Sequence, residues 1–335
     1  MLLRDAIKGY LLSRKVQGCS EKTIEWYRQK LVHLCEALQE EGGITELGQV
    51  TITHLRLFVD KLQRTKSGAN NPYAPTRNAN LSDLTIKGYV QVMRGFFRWC
   101  VSDDPPLLDR NPAAALKMPR VGKYLIKTFE LRHIETMLAA CNTRTPLGFR
   151  DYVIMLLLLD TGIRLAELCS LTLDRVFLKV KTEPYIKVLG KGRKEREVGL
   201  HQSTAELLWK YIHRYRRCHD ENERAIFMNR YGQPLTPNGV NQLLTEVKKR
   251  AGIDDVRVSP HTFRHTFARM YLEQDGEVYK LSRLLGHSKV AVTERYLEDF
   301  QSREARRGQS EHSPLSLFAG RSRRGFQKRR TDDWE

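Results

Sequence analysis

Apolar positions along the chain recur mostly with the helical period. In "CSEKTIEWYRQKLVHLCEAL" they fall at Ile24, Tyr27, Leu31, Leu34 and Leu38, a three- and four-residue spacing that places them on one helix face. Similar stripes predict helices over Leu2 to Arg14, Ser20 to Glu41, Thr53 to Gln63 and Thr85 to Val101. Ser20 and Thr53 read as N-caps, because a hydroxyl there accepts from the unpaired N–H groups of the first turn. A small all-helical domain is expected from this first part. The polar run "KSGANNPYAPTRNANLSD", Lys66 to Asp83, interrupts it as a long surface loop between the third and fourth helices.

The stretch "DDPPLLDRNPAAALKMPRVGK", Asp103 to Lys123, holds four of the twelve prolines and reads as a linker. Helices are expected beyond it at about Glu130 to Cys141 and Pro146 to Leu159. The pattern then shortens into strand-like runs, "RVFLKV", "YIKVLG" and "REVGL", with Gly190 and Gly192 at the turn between the last two. Helical patterning returns through "STAELLWKYIHRYRR", "PNGVNQLLTEVKKRAG", "SPHTFRHTFARMYL" and "LSRLLGH". From Gln301 an apolar island, "PLSLFAG", precedes "RSRRGFQKRR", which suggests a basic tail with one docking element. The fold class is therefore mainly α with a small antiparallel β-sheet.

Composition narrows the partner. The 335 residues are 41% hydrophobic, enough for two domains with real cores. Lys and Arg number 57 against 39 Asp and Glu, a net charge of +18 that points to a polyanion such as nucleic acid, with a membrane surface as the rival. No apolar run of about 18 residues is present to span a bilayer, and "MLLRDAIKGYLLSRK" is broken by charge within four residues, unlike a signal peptide. A cytoplasmic protein is expected. Cys19, Cys35, Cys100, Cys141, Cys169 and Cys218 form no CxxC pair and read as free thiols, several of them buried.

Four stretches supply residues suited to one task. Ser259 caps a helix with Pro260 at its first position, so His261 and Arg264 lie on one face near an N-terminus that favours anions, while Phe263, Phe267, Met270 and Tyr271 are expected in the core. "LDTGIRLAELCSL" sets Arg164 in the opening turn of a helix after the Thr161-Gly162 turn. Lys191 sits between two glycines in "LGKGRKEREV", and "LLGHSKVAVTERYLEDF" places Tyr296 nine residues after His287. Two guanidiniums can fork onto the oxygens of a phosphorane-like transition state. A tyrosine could attack the phosphorus, although its pKa of about 10 calls for a cationic site or an acceptor. A lysine could protonate the leaving oxygen.

Each residue also has a plainer account. Tyr296 shares an apolar stripe with Val292 and Phe300, Arg164 and Glu167 could be a surface ion pair, and "GKGRK" could be a solvated turn. His261 and His265 stand four apart as zinc ligands might, but the helix lacks the Glu of HExxH and offers no third ligand. No metal or cofactor is expected.

In order, "TGIRLAEL", "GKGRKERE", "HTFRHTFA" and "LLGHSKVAVTERY" resemble the signature of the tyrosine recombinase (phage integrase) family, in its Xer-like form. The resemblance covers nearly the whole chain. It implies an all-helical, SAM-like core-binding domain over residues 1–104 with an insertion loop at 66–83, a linker at 105–127, a mixed α+β catalytic domain at 128–303 and a tail at 304–335. It also implies site-specific cleavage and rejoining of duplex DNA through a 3′-phosphotyrosyl intermediate and a Holliday junction. Under it, Arg164 and Arg264 hold the scissile phosphate, His287 hydrogen-bonds it, and Lys191 protonates the leaving 5′-oxygen. Tyr296 is the nucleophile and His261 takes its proton, with Glu167 and His265 in support.

The implied partner is double-stranded DNA with paired sites, bound by a homotetramer with or without a second recombinase, in the cytoplasm at the nucleoid. The insertion and the tail depart from the shortest Xer-type members and tilt the purpose toward a mobile element rather than chromosome-dimer resolution. The arm-binding domain of some phage integrases is not expected, since helical patterning begins at Leu2. "PLSLFAG" is the candidate for docking on a neighbouring protomer. A type IB topoisomerase shares the chemistry, and a non-catalytic DNA-binding protein shares the charge; a covalent protein–DNA adduct separates the second from both enzymes.

Overall fold

Buried stripes, with hydroxyl caps on the last three, account for the four helices of the first of two compact units, Met1–Tyr124, in a computed structural model that describes residues 1–68, 78–122, 127–179, 183–190 and 194–286. These helices are α1 (Leu3–Val16), α2 (Glu21–Gly42), α3 (Ile52–Arg64) and α4 (Asp83–Ser102). Ser20 accepts from the Thr23 N–H, and α2 ends at Gly43 in the left-handed conformation that glycine adopts without strain. The cap of α3 is Thr51 and not Thr53: Thr51 accepts from His54 N–H, while its own N–H donates to His54 Nδ1. This reciprocal pair satisfies two first-turn groups at once, which leaves Thr53 inside the helix. Ser82 caps α4, starting it earlier than its apolar stripe suggests. Tyr10, Phe96 and Trp99 pack together in the core, with the Tyr10 and Phe96 ring centres 5.5 Å apart and edge-on. The ends of the insertion meet, as Ser67 N–H donates to Ala79 O at 2.8 Å; residues 69–77 lie outside the described residues.

The second unit, from Leu125 onward, is built around α6 (Pro146–Thr161), preceded by α5 (Leu131–Ala139). The run "VIMLLLL" in α6 is buried on most sides, as befits a central helix. Then come α7 (Leu165–Cys169), β1 (Val176–Phe177), β2 (Tyr185–Leu189) and β3 (Glu195–Gly199), an antiparallel sheet in the order β1-β2-β3. Among the described residues of "RVFLKV", 175–179, only Val176 and Phe177 pair. After α8 (Gln202–Lys210), one π turn over Tyr211–Tyr215 continues the helix; α9 (Pro237–Arg250), α10 (Pro260–Glu273) and α11 (Val278–Leu285) follow.

Three contacts seat α10. Phe129 N–H donates to Thr266 Oγ1, Arg269 Nη2 donates to Phe129 O, and the Phe129 and Phe263 rings meet at 4.8 Å. Of the apolar residues expected inside, Phe263 is fully buried, while Phe267, Met270 and Tyr271 are only partly covered. The main core ends at Phe263. Phe267 and Tyr271 lie instead against a small cluster of Ala268, Leu272, Leu281 and Leu285, too small to enclose them. All six cysteines are free, and Cys35, Cys100 and Cys141 are buried.

Gly162 closes α6 with a positive φ of 58°, where a Cβ would run into the Phe267 ring and come within 3.0 Å of Leu285. Gly162→Ala is therefore expected to destabilise the protein by about 1–3 kcal/mol through overpacking and strain. Urea denaturation of the two proteins checks this, and equal midpoints would refute it.

Candidate active site

Arg164 is the N-cap of α7, one residue before the position its sequence motif suggests. Its backbone N–H donates to Glu167 Oε2 at 2.8 Å and its Nη1 to Oε1 at 2.9 Å. This is not a surface ion pair, because the Glu167 side chain is 3% exposed. From β3, Arg196 adds a two-pronged contact: Nη1 to Oε1 and Nη2 to Oε2, both 2.8 Å. Burial opposes the charge on Glu167, but the bonds from Arg196 and Arg164 outweigh it and hold the carboxyl below its usual range.

Arg164 and Arg196, joined by Arg264, meet the end of α11. Arg196 Nε donates to Leu284 O at 2.7 Å, Arg264 Nη2 to Leu285 O at 2.6 Å, and Arg164 Nη2 to Gly286 O at 3.0 Å. The last carbonyls of a helix lack partners within it and carry the negative end of its dipole, so three cations are well placed here. Gly286 takes φ of 62°, and a Cβ on it would stand 2.9 Å from Arg196 Nη1. Arg264, buried in α10, also donates Nη1 to Gly162 O at 2.8 Å. Thus Arg164 and Arg264, a hundred residues apart in sequence, converge on one helix terminus.

His261 is the one exposed residue in the otherwise buried first turn of α10. Its partial burial, then the charges of Arg264, Arg257 and Arg164, push its pKa down, which keeps the imidazole neutral and ready to accept a proton near neutral pH. The His265 ring follows one turn later, its centre 6.4 Å from that of His261. Lys191 lies outside the described residues, but the hairpin root is defined: Gly190 N–H donates to Lys194 O at 2.8 Å, and a Cβ on Gly190 would stand 4.0 Å from Glu167 Oε1. His287, Tyr296 and "PLSLFAG" also lie outside the described residues. Among the described residues, no group of three or more His, Cys, Asp or Glu is placed to hold a metal ion, and no helix is long and apolar enough to cross a membrane.

The sequence motifs pass over Arg196. Its signal is the strand period: Arg196 and Val198 face the same side as buried Val188 and Ile186 opposite them. An arginine at an inward strand position needs an internal counter-charge.

Titration of the His261 ring by NMR should give a midpoint below the ordinary value of about 6.5. In Arg257→Gln, which removes a nearby positive charge from an exposed position, the midpoint should rise. An unchanged midpoint would show that Arg257 does not act on this ring.

The chain as a whole matches known proteins. Residues 127–303 match the phage integrase family, and residues 8–104 match the phage integrase N-terminal SAM-like domain. The chain is 32% identical over 299 residues to the tyrosine recombinase XerD of Listeria monocytogenes, covering 88% of this chain and 94% of that protein. It is 35% identical over 224 residues to the tyrosine recombinase XerC of Alcanivorax borkumensis, covering 66% and 71%. The fold resembles that of XerH recombinase in a post-cleavage complex with its difH substrate, with a TM-score of 0.68 at 18% identity over 88% of this chain and 82% of that one. It also resembles a lambda integrase tetramer bound to a Holliday junction, with a TM-score of 0.66 at 17% identity over 88% and 77%. With both halves matched in order, and with relatives aligned along most of its length, the chain belongs to the phage integrase family, as a tyrosine recombinase of the Xer type.

Proposed function

We propose that this protein cleaves and rejoins duplex DNA at specific sites through a covalent tyrosine intermediate. The observation that carries the reading is the convergence of Arg164 and Arg264 on the α11 terminus, with His261 one turn before Arg264 on α10. Arg164 and Arg264 hold the non-bridging oxygens of the scissile phosphate and stabilise the charge that grows on them. His261 accepts the proton of the Tyr296 hydroxyl as its oxygen bonds to phosphorus. The P–O5′ bond then breaks, its electron pair leaves on O5′, and Lys191 supplies the proton. His287 hydrogen-bonds the phosphate, and Glu167 and His265 support the arginines and His261. Attack by a 5′-hydroxyl on the 3′-phosphotyrosine reverses the step, and because the ester conserves the energy of the broken bond no ATP is needed.

The tetramer that lambda integrase forms on a Holliday junction supports the same assembly here: four copies, or copies paired with a second recombinase, acting on two sites in the cytoplasm. The core-binding function is assigned to residues 1–104, the catalytic function to residues 128–303 and a tail to 304–335; the segment 105–127 is no free linker along its described length, since Leu107, Leu108, Ala113 and Leu116 pack into the core of the first unit. The Lys66 to Asp83 insertion favours integration or excision of a mobile element over dimer resolution.

The test uses nicked duplexes that trap the intermediate. The parent protein should form a gel-stable DNA adduct, which Tyr296→Phe abolishes and Tyr279→Phe, a change at an exposed residue of α11, retains. Arg264→Ala should lower the adduct yield by about 10²-fold or more. DNA binding without any adduct would overturn the enzymatic reading, and relaxation of supercoils without pairing of sites would favour a topoisomerase.

A further inference from the structure

We infer that Arg196 is a positioning residue for the scissile phosphate: by neutralising Glu167 and holding the end of α11, it keeps the Arg164 guanidinium available to the DNA. The inference rests on the recombinase reading above.

The argument is one of charge and geometry. A carboxylate offers about four acceptor directions. On Glu167 two are taken by the backbone and side chain of Arg164 and two by Arg196. With Arg196 present, Glu167 has a full counter-charge in β3, and the positive charge of Arg164 is left over for an outside anion. Without it, Arg164 becomes the sole counter-charge of a buried carboxylate and is drawn inward, because an ion enclosed at this depth must be paired. Exposure separates the two roles: the Arg164 side chain is 35% exposed, that of Arg196 only 13%.

Arg196 also joins separate parts of the site. It lies on β3 two residues past Lys194, which closes the root of the Lys191 hairpin, and it donates Nε to Leu284 O on α11. The residue that fixes Glu167 thus also locates the strand leading from that hairpin and the helix end on which Arg164 and Arg264 converge. Lysine would supply the charge, but it cannot reproduce three directed bonds from one planar group.

The test compares single-turnover cleavage of two nicked duplexes, one with an ordinary scissile phosphate and one with a methylphosphonate there. The methyl group replaces a charged oxygen, so the substrate needs less positive charge. Arg196→Gln should cut the ordinary substrate about 10²-fold more slowly, the scale expected for a misplaced catalytic group, with DNA affinity little changed. On the methylphosphonate the deficit should shrink at least several-fold. Arg196→Gln/Glu167→Gln, which removes both charges and so releases Arg164, should cleave the ordinary substrate faster than Arg196→Gln alone. Arg196→Lys should fall between the parent and Arg196→Gln, and it carries the same substrate comparison if the glutamine variant does not fold. Parent-like rates in Arg196→Gln, an equal deficit on both substrates, or no gain in the double variant would overturn the assignment. Failure of the recombinase reading shows separately, as a parent protein that forms no adduct with the ordinary substrate.

Discussion

A carboxylate shut away from water must find its positive charge inside the protein, and Glu167 imposes that requirement on everything near it. Its two oxygens collect the N–H of α7's cap residue, that residue's guanidinium and a second guanidinium from the sheet. Buried ion pairs of this kind contribute little net stability, since desolvation offsets most of the attraction, yet losing one partner is costly. Their effect is on arrangement. α7 and β3 must stand where both arginines reach one carboxylate, and α11 must end where the same arginines reach its carbonyls.

The packing beneath explains why this arrangement can be held. α6 is apolar on nearly every side and anchors the unit; α10 packs along it and is fixed to Phe129 by close ring contact and two hydrogen bonds. Gly162 lets the chain turn at the end of α6 tightly enough for its carbonyl to meet Arg264. Rigid placement on packed helices is what a site needs when catalysis depends on fixed charges.

How far the sequence reveals this depends on the range of the forces involved. Helices with strong stripes and hydroxyl caps, such as α2 and α10, are legible because cap and stripe are local; His261 and Arg264 are legible with them, near one capped N-terminus. The α3 cap is hidden because two threonines, Thr51 and Thr53, compete locally and only the reciprocal bond with His54 selects Thr51. Phe267 and Tyr271 keep the helical period of a core residue, but the size of the neighbouring cluster, set by α11, decides how covered they are. Arg196 was illegible for the same reason: "KEREV" reads as a charged strand until the partner 29 residues earlier is known.

The arginines grip α11 by its backbone. Side chains on the outer face of that helix can therefore change over evolution without altering any of the three acceptors. The length of the helix cannot: adding or removing one residue before Gly286 would rotate the three carbonyls by about 100° and shift them by about 1.5 Å along the axis, breaking all three contacts together. The exposed positions of α11, Tyr279, Lys280 and Arg283, should thus be tolerant of substitution while the helix itself is intolerant of insertion or deletion, a pattern opposite to that of an ordinary surface loop.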